Sequence, residues 1–425
     1  MKRYRRRMIK GYAVIIGAVV LAVALIVVGI KTFGKIDGAI QTPGSTPTPT
    51  HEVTQSPSPT PSAEPEPSNI VVIKAVGDIM IKSEQLQSAK DEEGNYSFEG
   101  WLDEIKPSLA GGDLVIANLE AVLNGRSDPN YSGTQVMMNT PASILTALKN
   151  AGINMLMTAN SHSLDAGMQG VENTINEIKD AGMDYVGTYL SQQEHDTAFI
   201  KEINGIKIGV AAFTAETGDN INNVPEEMQS VVVIYINSQK VERMLEKVNK
   251  LKEAGAEFII VYMHWGEPYS DTPTSTQRSI AQKLLDNGVN LILSSHTHSV
   301  QPIRYKDVTV NGVTKKAMVA YSLGNFLTDQ VNTGRVKTNT GFILSVTIQK
   351  DENGNVSITD NAVVPTWINR SGTPGDYDYK VLPLGEYAAA EDLPEGISET
   401  VWAAMKSEWS RVREISVDNI PIKNS

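Results

Sequence analysis

Ile70-Val71-Val72-Ile73-Lys74-Ala75-Val76 is a run of strand-forming residues, and it ends abruptly in Gly77-Asp78-Ile79-Met80. The same pattern recurs four times. Leu114–Ala117 runs into Asn118-Leu119-Glu120, and Met155–Thr158 into Ala159-Asn160-Ser161-His162-Ser163-Leu164-Asp165. Phe258–Met263 runs into His264-Trp265-Gly266, and Leu291–Leu293 into Ser294-Ser295-His296-Thr297-His298. Further strand candidates are Tyr185–Gly187, Ile206–Phe213 and Ala317–Tyr321. Between them lie Pro141–Ala151, Gly170–Ala181, Lys240–Ala254 and Thr274–Asn287. These segments space their apolar residues three and four apart and stop at Gly152, Gly182, Gly255 and Gly288, a helical pattern with a helix-ending glycine. Strands alternating with helices predict an α/β fold with mainly parallel strands. After Gly341 the period changes to two, over Phe342–Gln349 and Val356–Val364. Asn353-Gly354 between them predicts a hairpin.

In such sheets ligands gather at the carboxyl ends of strands, which is where the polar residues interrupt the runs. Four of the six histidines sit there: His162, His264, His296 and His298. Imidazole with carboxylate suits Zn, Mn or Fe. His296 and His298 are two apart. In an extended strand their rings point to opposite faces, whereas at a strand-to-loop bend they reach two adjacent ions. Each residue also has an ordinary structural reading. A lone histidine is commonly a hydrogen-bonded core or loop residue, Asp78 could cap a helix, and Glu120 could be solvated. Their shared placement at strand ends is what argues for a site. His195 and His51 read as surface residues.

The first forty residues bear on compartment. Lys2, Arg3, Arg5, Arg6, Arg7 and Lys10 precede an uncharged apolar run, Gly11–Ile30. At about 1.5 Å per residue this run spans roughly 30 Å, the thickness of a bilayer core. A basic flank stays on the cytoplasmic side, so residues 1–35 read as a cytoplasmic end plus one transmembrane helix. The expectation is a single-pass cell-membrane protein with its C-terminal domain extracellular. A cleaved signal peptide is the rival reading, but its apolar region is shorter, about 7–15 residues. Residues 36–68 read as a disordered stalk: Gln41 to Ser68 holds eight Pro and eleven Ser or Thr, too little apolar surface to fold. Residues 69–330 form the main domain, 331–365 a hairpin completing it, and 366–425 a polar extension with one helix near Ser398–Glu414. A charge of +7 on residues 1–40 within a formal net charge of −12 leaves −19 on the rest. That excludes general nucleic-acid binding, which rests on Lys and Arg meeting phosphates. An anionic substrate then needs a local basic group or a metal.

From Val71 to Leu327 these residues resemble the CapA family of bacterial capsule and poly-γ-glutamate synthesis proteins, whose domain is similar to the calcineurin-type metallophosphatases. The resemblance rests on Gly77-Asp78-Ile79-Met80, Asn118-Leu119-Glu120, Asn160-Ser161-His162 with Asp165 and Gly167, and His264-Trp265-Gly266. It continues through Tyr269, Pro273, Gln277, His296-Thr297-His298, Gln301-Pro302 and Tyr321-Ser322-Leu323-Gly324-Asn325-Phe326. It implies a sandwich of two mixed sheets flanked by helices, with the site at one edge. It also implies metal ligation by Asp78, Glu120, His264, His296 and His298, and makes His162 a general acid or a phosphate contact, with Asp165 or the loop backbone fixing its tautomer. Asn118, Asn160, Ser161, Trp265 and Asn325 would contact substrate.

The chain departs from the phosphatase pattern at several positions. Met80 stands where a second ligand, usually His, is expected, and Ser161 where an amide ligand is expected. Ser294-Ser295 precede His296 where the family often has Gly-His, and Pro268 replaces a Glu. A thioether binds hard ions poorly, so the expectation is one tightly held divalent ion and at most a loose second. Two functions follow: a metal-dependent hydrolase of an anionic envelope polymer or a phosphoester, or a non-catalytic polymer-binding subunit working with other capsule synthesis subunits.

Overall fold

The computed structural model describes residues 69–236, 241–310, 312–330, 338–415, 418 and 420–425. The expected membrane anchor and stalk lie outside them. Among the described residues, no helix is long and apolar enough to cross a membrane.

Two mixed sheets face one another. The first contains β1 (Ile70–Met80), β2 (Leu114–Leu119), β3 (Met155–Met157) and β4 (Asp184–Val186), all parallel. The second contains β5 (Phe199–Ile203), β6 (Ile206–Thr214), β7 (Phe258–His264), β8 (Leu291–Ser295), β9 (Ile303–Val310) and β10 (Val313–Ala320). Its strand order is β9-β10-β8-β7-β6-β5, with hairpins at both edges and a parallel centre. The first sheet is completed by β11 (Asn325–Thr328), parallel to β1, and by the antiparallel series β12 (Thr340–Lys350), β13 (Val356–Thr373) and β14 (Asp376–Pro383).

Side-chain alternation explains the layering. Along β7, Phe258, Ile260 and Tyr262 enter the core between the sheets. Ile259, Val261 and Met263 pack on the outer face, under helices α3 (Glu242–Glu253) and α4 (Ser275–Asp286). Both faces are buried, so the strand reads as one unbroken apolar run. On the first sheet Val115 and Leu156 point outward to α1 (Ile144–Asn150) and α2 (Gly167–Asp180). The helices end where the sequence places them. Thr274 accepts from the Gln277 amide in a capping box before α4, and Gly288, at φ +87°, follows its end.

The C-terminal part differs from the expectation. β13 runs past residue 365 to Thr373, β14 follows, and helix α5 (Glu399–Glu414) packs beside them. Trp367, Leu382, Leu384, Met405, Val412 and Ile420 join the core between the sheets. The described residues between 366 and 425 are therefore a structural part of the sandwich rather than a polar appendage. Their apolar side chains are spaced among charged ones, and only packing shows which face they share.

Candidate metal centre

β1, β2, β7 and β8 run parallel within their sheets, and their carboxyl ends meet at one edge of the sandwich. Gly77 makes this possible at the first of them. A Cβ there would lie 1.8 Å from the Gly324 carbonyl oxygen, and the Asp78 amide donates to that same oxygen at 3.0 Å. Only glycine permits the approach that seats Asp78.

Two ligand groups share Glu120. One is Glu120, His264 and His296; the other is Asp78, Glu120 and His298. All are buried, and within each group the candidate ligand atoms lie within 4.8 Å of one another. The His264 Nε2 and His296 Nδ1 atoms are 3.0 Å apart, and Glu120 Oε1 lies 3.4 Å from His264 Nε2. Glu120 Oε2 is buried with no hydrogen-bond partner. Converging lone pairs and an orphaned carboxylate oxygen are the pattern that a divalent cation satisfies, so these residues fit one. His296 and His298 both have left-handed backbones, φ +98° and +53°. This bend, costly for non-glycine residues, lets two residues that are two apart serve neighbouring groups.

Protonation suits the same purpose. Burial works to raise the Glu120 carboxyl, yet the charge and hydrogen bond of His264, with His298 and His162, hold it well below the usual carboxylate range. Burial, together with His264, pushes His296 down to about 3. A ligand must be deprotonated to bind a cation, and these two are already so at neutral pH. His298 differs: burial lowers it, but Asp78 and Glu120 more than offset this and raise it.

The asparagines expected to touch substrate lie behind the ligands instead. Asn118 donates to Asp78 Oδ1 at 2.7 Å and sits 3.4 Å from His264 Nδ1. Asn160 donates to Asn118 Oδ1 at 3.2 Å and to the Leu119 carbonyl at 2.7 Å. Asn325 Oδ1 lies 3.1 Å from His298 Nδ1. All three are buried and orient the ligands. Trp265 is also away from the cleft. It packs in the outer core and donates its indole N–H to the Tyr321 carbonyl at 3.2 Å, so its place after His264 reflects strand alternation rather than substrate contact.

Ser161 faces a cleft of about 530 Å³, as do His162, Asp165 and Met80. The Ser161 hydroxyl donates to Glu120 Oε1 at 2.9 Å. Met80 packs against Ala121 and Met138 and brings a thioether to the cleft. His162 Nδ1 is 2.7 Å from Asp165 Oδ2. Asp165 is pinned from two further segments, by the Met138 amide at 2.7 Å and Asn220 Nδ2 at 2.9 Å. This places the Nδ1 proton on the Asp165 side and leaves Nε2 for the cleft. Sequence reasoning missed Asn220, Glu216, Asp219, Gln135 and Gln330, which also line the cleft. Asp219 and Asn220 lie in a short 3-10 helix, Gly218–Asn223, and the others in loops, none long enough to carry a periodic signal.

A family model described as "Bacterial capsule synthesis protein PGA_cap" matches residues 72–330. Among curated relatives, the "Capsule biosynthesis protein CapA" of Bacillus anthracis is 26% identical, over 60% of this chain and 59% of that protein. The "PGA biosynthesis protein CapA" of Bacillus subtilis is 25% identical, over 67% of this chain and 69% of that protein. This chain thus spans about three fifths of the first relative's length. Among solved structures, a Haemophilus influenzae NAD nucleotidase superposes with a TM-score of 0.40 at 12% identity, covering 81% of this chain and 68% of that one. A putative 5′-nucleotidase of Staphylococcus aureus gives 0.40 at 10% identity, covering 80% and 58%. Superpositions this loose assign no activity. The sequence match is of another order: it takes in more than half of the residues and every one of the candidate ligands, and the chain belongs to the bacterial capsule synthesis protein family PGA_cap.

Proposed function

We propose that this chain is a membrane-anchored, extracytoplasmic member of the family that hydrolyses a phosphoester, or a bond of an anionic envelope polymer, with the help of a divalent cation. One observation carries the reading: Glu120 is shared by two buried ligand groups while the His162–Asp165 pair opens on the same cleft. Glu120, His264 and His296, with the Ser161 hydroxyl beside them, would hold one ion tightly. Asp78, Glu120 and His298 would hold a second more loosely, because the cleft offers the Met80 thioether in place of a further hard donor. A bound divalent ion of this class supplies a Lewis acid and lowers the pKa of bound water toward ~7. In its imidazolium form His162, with its Nδ1 proton held by Asp165, gives its Nε2 proton to the leaving oxygen. Ser161 and the buried asparagines keep the acceptors in place.

Elemental analysis of the full chain, purified in detergent without chelator, tests this together with turnover of phosphomonoesters and of poly-γ-glutamate. Zn, Mn or Fe should co-purify, His264→Ala and His296→Ala should remove it, and His162→Ala should keep the metal and lose turnover. Metal without turnover of any substrate would instead support the polymer-binding subunit. Metal content indifferent to both ligand substitutions would overturn either form. Topology has its own test: protease added to intact cells should remove the domain and leave a small membrane stub, whereas full protection would refute the anchor.

A further inference from the structure

We infer that the group released in this cleft is a neutral sugar, so that the substrate is the phosphoester of an uncharged sugar and not a polyacidic chain. The inference rests on the hydrolase reading and concerns what lies beside the reacting bond. Beyond the ligand groups, the cleft walls carry Glu216 and Asp219. One anionic group would be matched at the floor, where a divalent ion held by the ligands would supply positive charge. A chain with a carboxylate at every residue would set like charges against Glu216 and Asp219. The remaining polar lining is amide, from Gln135, Asn220 and Gln330. Amides and carboxylates together are partners for hydroxyl groups, which both donate and accept.

The mouth supplies the complementary apolar surface. Four large hydrophobic residues are exposed among the described residues, and two of them, Val136 at 81% and Tyr269 at 36%, line this cleft. Tyr269 has φ +66°, a left-handed conformation that a tyrosine adopts only when its surroundings impose it. Its amide donates to the Thr297 carbonyl at 2.7 Å, its hydroxyl accepts from Gln330 Nε2 at 3.3 Å, and its ring centroid lies 5.7 Å from that of His298. An aromatic ring is thus fixed at strain beside a candidate ligand. A pyranose, with one C–H face and a rim of hydroxyls, matches such a ring flanked by amides and acids. In the step implied, the oxygen of a water bonds to phosphorus. The bond from phosphorus to the sugar oxygen breaks with its electron pair on that oxygen, which takes the Nε2 proton of the His162 imidazolium; the attacking water keeps one proton on the new phosphate hydroxyl and loses the other to solvent, from which His162 regains its own. Phosphate and the free sugar leave.

The test uses the full chain in detergent with glucose 1-phosphate, glycerol phosphate and oligo-γ-glutamate. Glucose 1-phosphate should be turned over with kcat/KM at least tenfold above glycerol phosphate, which has hydroxyls but no ring face. Tyr269→Ala should erase that advantage through KM, and Tyr269→Phe should keep it. On chelator-treated protein, saturation-transfer NMR should give a signal from the glucose ring protons that Tyr269→Ala abolishes. Equal turnover of both esters, or preferential binding of oligo-γ-glutamate, would overturn the sugar inference and leave the hydrolase standing. A ring-proton signal that depends on Tyr269, with no turnover of any ester, would keep the sugar site and refute the hydrolase.

Discussion

Replacing Glu120 by Gln removes one charge from both ligand groups while keeping the side chain's shape. In the ion-free protein the Ser161 hydroxyl can still donate to the remaining carbonyl oxygen, but the attraction between Glu120 and His264 is lost, so the variant's own EDTA form is the reference for its metal-dependent shift. With metal the difference should be large. A ligand that binds only the folded state at 100 times its Kd stabilises by about 2.7 kcal/mol. Unfolding entropy is about 2.1 cal/mol/K per residue, or roughly 0.7 kcal/mol/K for a domain of about 350 residues. The two together predict that metal raises the wild-type Tm by about 4 °C. Because both groups depend on Glu120, Glu120→Gln should abolish that rise, whereas removing a ligand that belongs to one group, as in His298→Ala, should leave part of it. Differential scanning calorimetry of each protein, with EDTA and with added Zn or Mn, reads the effect directly. A Glu120→Gln protein that keeps the full metal-dependent shift would refute the shared-ligand geometry.

Three further outcomes follow. His162→Ala should retain the metal-dependent rise in Tm and lower turnover about 10²–10⁴-fold, the usual worth of a general acid; loss of the metal shift would make His162 a ligand instead. Gly77→Ala should cost about 1–3 kcal/mol, an overpacking penalty, because its Cβ meets the Gly324 carbonyl at 1.8 Å, and it should weaken metal binding by displacing Asp78; an unchanged denaturation midpoint would contradict this. Burial, with the charge of Lys250, pushes Lys247 down to about 8. Its folded-state pKa is thus below the unfolded value of about 10.4, and a buried ammonium is disfavoured whenever both states are charged. Stability should therefore rise as pH climbs from about 8 to 10, and Lys247→Met should flatten that slope relative to wild type in urea titrations.

Much of this protein is legible locally. Apolar runs ending in polar residues mark β1, β2, β3, β7 and β8, because a strand buried on both faces must be apolar until it leaves the sheet. The same rule finds Asp78, Glu120, His162, His264, His296 and His298, since the chain turns polar where parallel strands open to solvent at their carboxyl ends. Asn353-Gly354, with Gly354 at φ +82°, announces its hairpin for reasons confined to a few residues. What each polar side chain meets across the molecule is a different matter. Trp265 and Asn118 follow or end strands as the ligands do, yet one bonds the Tyr321 carbonyl in the core and the other braces Asp78 and His264. Asn220 reaches Asp165 from a segment 55 residues away, and Trp367 and Met405 enter a core that no local period marks. Periodicity records which face of an element is apolar. It holds no information about which distant face will cover it, so the partners of Glu120, the asparagines behind the ligands and the walls of the cleft were decided only when the two sheets packed.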